Sequence, residues 1–245
     1  MFNKTIVMVV VLLWTGIASA SHPLITDDAG TQGKGKFQLE INGEYVNDNG
    51  SAVTAIAAAL SAGITDNLDL VVGMPYQFLK TKGENGHRTT DSGISDASVE
   101  MKWRFFEKNG LSLALKPGVA FPTGNDRKGI GDGKVSYSLF FITTKEMEPT
   151  TLHINFGYVR NRAELRDIWH YSLACEYELI KDLRIVGNIG GETNPEKESN
   201  VHPLFVLGGI IYSFTENIDM DFGIKTGFNK AEADYTLLAG LAYRF

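Results

Sequence analysis

The chain has 245 residues, 43% hydrophobic and 21% charged, with a net charge of −6 at pH 7. That acidic balance excludes nucleic acid as a partner, because neutralising phosphate needs a basic surface. Cys175 is the only cysteine, so no disulfide framework holds the fold.

The first predicted element is a leader. Residues 1–20, "MFNKTIVMVVVLLWTGIASA", carry Lys4, an apolar run from Ile6 to Trp14 and the small-residue end Ala18-Ser19-Ala20. This is the layout of a secretory signal peptide, with cleavage expected after Ala20. The apolar run is short for a membrane helix, which needs about 20 residues. Ser21 rather than cysteine follows, so no lipid anchor is expected. Residues 21–35, "SHPLITDDAGTQGKG", hold Pro23 and three glycines and read as loop. Two readings stay open here: a periplasmic tail, or a plug folded into a barrel with Asp27 and Asp28 as partners for luminal cations.

From residue 36 onward the apolar positions recur at period two, the strand period. Twelve segments follow: 36–46, 53–63, 67–79, 97–107, 111–121, 134–144, 151–160, 168–179, 183–192, 203–214, 217–228 and 234–245. In the first, Phe37, Leu39, Ile41, Gly43 and Tyr45 face one way, and Gln38, Glu40, Asn42 and Glu44 the other. Each segment is roughly ten residues long, enough to cross a bilayer as a tilted strand. Lipid offers no hydrogen bonds, so such strands must close into a barrel with an apolar outer face. Aromatics near segment ends, among them Tyr76, Trp103, Trp169, Tyr212 and Tyr243, suit the two interfaces.

Connections alternate in length. "ITDN" at 64–67, "EKNG" at 107–110, "IKD" at 180–182 and "TEN" at 215–217 are short. The intervening ones, such as "LKTKGENGHRTTDSGIS" at 79–95 and "PTGNDRKGIGDG" at 122–133, are mostly long. Short periplasmic turns and long extracellular loops mark an outer-membrane barrel. The expected fold is therefore all-β, a transmembrane antiparallel up-and-down barrel of about 12 strands over 36–245, in the Gram-negative outer membrane. The last strand, "LLAGLAYRF", alternates apolar residues up to Phe245. It resembles the signal read by the barrel assembly machinery. An exported soluble sandwich or ligand barrel would alternate in the same way, but it does not explain the sidedness of the loops.

With charged residues inward, the lumen is expected to hold Glu40, Glu44, Asp69, Glu100, Lys102, Arg104, Lys116, Glu176, Glu178, Arg184, Asp219, Asp221, Lys225 and Arg244. These either brace a narrow barrel as ion pairs or line a polar path. Phe205, Leu207 and Ile211 also point inward, with alanines at 55, 57 and 59. They form either a patch for a small hydrophobic molecule or simple packing against the N-terminal segment. Twelve strands lie between filled eight-stranded barrels and open porins, so a narrow or plugged lumen is expected.

Residues 22–45 are similar to the opening of a bacterial family named for a MetA-pathway of phenol degradation. The match is carried by Pro23, Leu24, Thr26, Asp27, Asp28, Ala29, Gly30 and Thr31. "FPTGNDRKGIGDGK" at 121–134 resembles that family's Pro-x-Gly loop and glycine-rich strand entry. The resemblance implies an outer-membrane barrel related to transporters of hydrophobic and aromatic compounds.

The expected function is a channel for passive uptake of small hydrophobic or aromatic compounds. The expected partners are outer-membrane lipid, the assembly machinery and the solute. The alternatives are a plugged structural or loop-binding barrel and an outer-membrane lipid-modifying enzyme. For the enzyme, Ser138, His153 and Asn155 are the candidate set, and their inward parity fits a lipid substrate poorly. No catalytic residue, metal or cofactor is expected, since the five histidines lack ligand spacing.

Overall fold

The computed structural model describes residues 22–82, 88–161 and 165–245. The predicted leader lies outside the described residues. Thirteen strands are present among the described residues: β1 Phe37–Asp48, β2 Ser51–Thr65, β3 Leu68–Lys82, β4 Arg88–Ile94, β5 Ala97–Lys108, β6 Leu111–Phe121, β7 Ser136–Met147, β8 Thr150–Arg160, β9 Ile168–Ile180, β10 Leu183–Glu192, β11 Leu204–Thr215, β12 Ile218–Gly227 and β13 Tyr235–Arg244. Neighbours pair antiparallel, and β1 pairs with both β2 and β13, so twelve strands form a closed ring. No helix among the described residues is long and apolar enough to cross a membrane.

The thirteenth strand is the one departure from the expected count. β4 falls inside the predicted loop 79–95. It pairs with residues 76–82 of β3, while β5 pairs with residues 68–73 of the same strand. Gly73 faces Ser98 and Tyr76 faces Ile94, so one extra residue sits between them. β4 and β5 are thus one long strand interrupted by a bulge at Ser95-Asp96. Pro75 brings no N–H to the ladder, but its carbonyl accepts from the Ser95 amide at 2.8 Å.

Burial follows the predicted parity. In β1, Gln38 and Glu40 are buried and Ile41 is exposed. Ile41, Met74, Tyr137, Leu139, Ile154, Phe156, Phe222 and many like them form a continuous outward belt. A belt of that extent suits a bilayer and would be an aggregation liability in water. The alternation breaks at Phe105-Phe106, both exposed, because a register shift in the β5–β6 ladder turns two successive residues outward.

The seam between the chain ends is closed by paired backbone. The Phe37 amide donates to the Phe245 carbonyl at 2.8 Å and the Phe245 amide to the Phe37 carbonyl at 2.9 Å. The two rings stack outside with centroids 5.6 Å apart. Such a ring pair contributes about 0.5–1.5 kcal/mol beyond its area. Phe245→Ala should therefore lower the temperature at which the folded, fast-migrating electrophoretic band is lost, without abolishing that band. An unchanged melting temperature would count against the stack as a seam element.

Candidate functional site

Residues 22–34 fold into the barrel from the rim that holds the chain ends. Local chemistry explains the entry. Gly33 and Gly35 have φ of 86° and 76°, in the left-handed region that favours glycine. The Gly35 amide donates to the Gly63 carbonyl at 2.8 Å. Gly63 lacks a side chain where the segment passes, and a Cβ there would lie 1.8 Å from the Gly33 carbonyl oxygen. Further in, the Gln32 amide donates to Asp69 Oδ2 at 2.9 Å, and the Ala29 amide to Thr144 Oγ1 at 2.8 Å.

Asp27 is the centre of the arrangement. It is fully buried, 2.9 Å from Lys102 Nζ and 2.6 Å from Lys116 Nζ. Burial by itself raises its pKa, but the two ammonium groups outweigh burial and hold it below the ordinary 3.8. Asn155, with its amide turned to satisfy both groups, accepts from the Asp27 N–H and donates to the Asp27 carbonyl. Beyond it, Asn188 Oδ1 accepts from the amides of Ile25 and Thr26 at 2.7 and 3.1 Å. Asn188 Nδ2 donates to Thr26 Oγ1 at 2.7 Å.

The segment then turns back. Leu24 and Ile25 pack against Phe205, Leu207, Ile211, Val186, Ala174 and Leu238. Phe205, Leu207 and Ile211 thus lie together inside the barrel and are covered by the chain's own leucine and isoleucine. Pro23 fits a notch left by Gly209 and Gly223, where added Cβ atoms would lie 2.8 and 2.7 Å from its ring. His22 Nδ1 ends the path 2.5 Å from Asp221 Oδ1. Walls from β3, β5, β6, β7, β8, β10, β11 and β12 all touch the segment, so it spans the barrel's cross-section.

The remaining predicted luminal charges also lie inside, mostly in pairs. Lys116 is 3.6 Å from Glu100, and Lys102 is 3.9 Å from Asp28. Arg184 bridges Glu176 at 2.7 Å and Asp219 at 3.3 Å, and Arg244 joins Asp219 at 2.7 Å. Lys225 meets Glu232 at 3.0 Å. Arg104 sits at the rim, donating to the Asp66 carbonyl at 3.0 Å and 3.2 Å from Glu107. Glu40 is buried, and Glu44 faces a small chamber. Glu178 is the exception: it is exposed where β9 runs out at its turn.

Ser138, His153 and Asn155 are not assembled as a catalytic set. The His153 nitrogens meet Thr144 Oγ1 at 2.9 Å and Glu176 Oε1 at 3.2 Å, while Asn155 holds the Asp27 backbone. No group of histidine, cysteine or acids among the described residues is placed to hold a metal.

Two spaces flank the inserted segment. A vestibule of about 600 Å³ opens toward the chain-end rim, lined by His22, Asp28, Glu40, Arg184, Asp219 and Arg244 among others. On the other side a chamber of about 10 Å³ lies among Ile25, Glu44, His170, Glu192, Phe205, Lys225, Glu232 and Leu238. Above it the long connection 122–133 covers the mouth. Asp96, buried at the β4–β5 bulge, accepts from the Gly124 amide at 2.9 Å and the Asp132 amide at 2.6 Å. These bonds bring fully buried Ile130 against Val46, Val53, Ala55, Leu79 and Ala233. Asp96, Ile130, Asn188 and Glu232 were not singled out by sequence reasoning. The one available signal was Ile130, the sole large apolar residue in that glycine-rich loop.

The architecture has known counterparts. An outer membrane channel from Pseudomonas putida F1 superposes with a TM-score of 0.70 at 13% identity, over 89% of this chain and 98% of that one. The KdgM porin, solved in complex with disordered oligogalacturonate, gives 0.60 at 8% identity, over 85% and 99%. The CymD monoaromatic hydrocarbon channel gives 0.50 at 10% identity, over 87% and 89%. At these identities the likeness is one of fold. A comparison with the curated proteins found no match. A family model does match, over residues 20–245, which is nearly the whole sequence. The chain belongs to the family described as "Putative MetA-pathway of phenol degradation".

Proposed function

We propose that this protein is a channel of the Gram-negative outer membrane for passive uptake of small hydrophobic or aromatic compounds, held closed here by its own N-terminal segment. One observation carries the reading: Leu24 and Ile25 sit on the luminal patch of Phe205, Leu207 and Ile211, anchored by Asp27 between Lys102 and Lys116. An apolar patch with nearby polar groups is the kind of surface that receives a small hydrophobic solute. In this closed state the segment occupies that surface and is a plug. The orientation that follows puts the chain ends and short turns in the periplasm and the 122–133 loop outside. The outward belt meets lipid, and the C-terminal strand ending at Phe245 is the element offered to the assembly machinery. The similarity to solved channels and porins supports a transport role over catalysis.

The test is conductance in planar bilayers after deletion of residues 22–33. Removing the segment frees the patch and the mid-barrel cross-section, so macroscopic conductance should rise by roughly two orders of magnitude or more. Unchanged conductance, both in the deletion and in the deletion combined with Asp96→Ala, would leave the second reading, a permanently filled structural or loop-binding barrel. That reading draws on the extensive ion pairing of the lumen.

A further inference from the structure

The chamber above Ile25 carries more acids than cations. Glu44, Glu192 and Glu232 face one ammonium, Lys225, and one imidazole, His170. Lys225 Nζ is committed to Glu232 at 3.0 Å and stands 5.5 Å from the centroid of the Phe205 ring. Glu192 and His170 are 4% and 2% exposed. Glu192 Oε1 and His170 Nδ1 have no hydrogen-bond partner. The Nδ1 atom and Glu192 Oε2 are 3.6 Å apart, too far for a hydrogen bond. Buried polar atoms are nearly always satisfied, so two orphans on one cavity ask for a ligand.

What would satisfy them is narrow in chemistry. A carboxylate oxygen such as Glu192 Oε1 accepts and does not donate. The missing partner therefore offers several N–H donors and positive charge, as a primary ammonium does. The apolar floor of the same chamber, Phe205 and Leu238, accepts a ring. Lys225 over Phe205 already shows an ammonium resting on that face. The present space of about 10 Å³ holds no more than a water. Departure of Leu24 and Ile25 from the patch enlarges it, since Ile25 forms one of its walls.

We propose that the luminal site selects small aromatic or aliphatic compounds bearing a primary ammonium group, with the carboxylates of Glu192 and Glu44 receiving the charge and Phe205 the apolar body. This rests on the channel reading above and specifies its solute class. Anionic analogues meet surplus buried negative charge and are rejected, since mismatched charge discriminates more strongly than matched charge attracts.

The experiment measures solute entry into liposomes holding the full chain at pH 6.5, corrected for empty liposomes. Tyramine and 4-hydroxyphenylacetate share a ring and chain length and differ in the sign of charge. Phenyl β-glucoside is the neutral, poorly permeant arm. Tyramine should enter roughly tenfold faster than the carboxylate, a difference of one decade in selectivity. Glu192→Gln, which keeps the shape of the side chain, should cut that ratio several-fold. Glu44→Gln is the second variant, and the fast-migrating band verifies that each is folded. A ratio of one or less, or a ratio indifferent to both variants, overturns the proposal while the channel stands. Entry of none of the three solutes, through the full chain and through Asp27→Ala alike, overturns the channel reading and this inference with it.

Discussion

Asp27→Ala should raise the open probability of the channel by roughly two orders of magnitude. The side chain is fully buried and neutralises two ammonium groups that are themselves 4% and 1% exposed. Removing one partner of a buried pair costs about 3–5 kcal/mol, because the other charge stays desolvated and unpaired. Each 1.4 kcal/mol is about a factor of ten. Asp28, 3.9 Å from Lys102, and Glu100, 3.6 Å from Lys116, absorb part of that cost, which places the expected effect at the lower end. The cost falls on the docked state alone, since an undocked segment leaves both lysines to water entering the lumen. Single-channel recording measures the change. Adding Lys102→Met and Lys116→Met to Asp27→Ala removes the stranded charges and should return the open probability most of the way to the parent value. No rise in Asp27→Ala would mean that the ion triad does not hold the plug.

The same latch has a defined pH dependence. Its carboxyl titrates below the ordinary 3.8 when docked. A depressed aspartate contributes stability in full above its free pKa, and that contribution is lost as pH falls through the docked value. The ratio of open probabilities between Asp27→Ala and the parent should thus stay constant from pH 8 down to about 4 and shrink only in stronger acid. A ratio that collapses between pH 7 and 5 would place the titrating group elsewhere.

Much of the barrel was legible because a membrane strand obeys two constraints at once. Period two and an apolar outer face mark each crossing, so Ile41, Met101 and Phe222 on one face and Glu40, Lys102 and Asp221 on the other announce themselves. β4 escaped because "RTTDSGI" is held by backbone pairing to β3, without an apolar face. A strand of that kind leaves no periodic trace. The bulges at Ser95-Asp96 and Phe105-Phe106 escaped for a related reason: an extra residue in a ladder is a property of register, and register depends on the neighbouring strand. The inserted N-terminal segment was half legible. Asp27 and Asp28 stood out as acids next to a lumen with cations, but the lysines that meet Asp27 lie 75 and 89 residues away. The two lysines sit on the paired strands β5 and β6, and only the insertion of residues 22–34 into the ring brings Asp27 to them. Asn155 and Asn188 gave no signal, since a short amide at an inward position has no preferred role until a backbone passes it.

Asp96→Ala should raise open probability by about tenfold through a different element. Asp96 is the single side chain that accepts from both Gly124 and Asp132, and those bonds hold Ile130 in the barrel mouth. Losing an ionised acceptor of two backbone amides costs about 1.5–3 kcal/mol. The loop and the plug share no hydrogen-bond partner, because Asp27 is held by Lys102, Lys116 and Asn155, and Asp96 by the 122–133 backbone. On the channel reading proposed above, solute crosses only when both elements are displaced. For independent closures the open probabilities multiply, so the double variant Asp27→Ala/Asp96→Ala should show the product of the two single effects, about three orders of magnitude above the parent. A double variant no more open than Asp27→Ala alone would mean that the loop follows the plug, and the barrel would then have one gate.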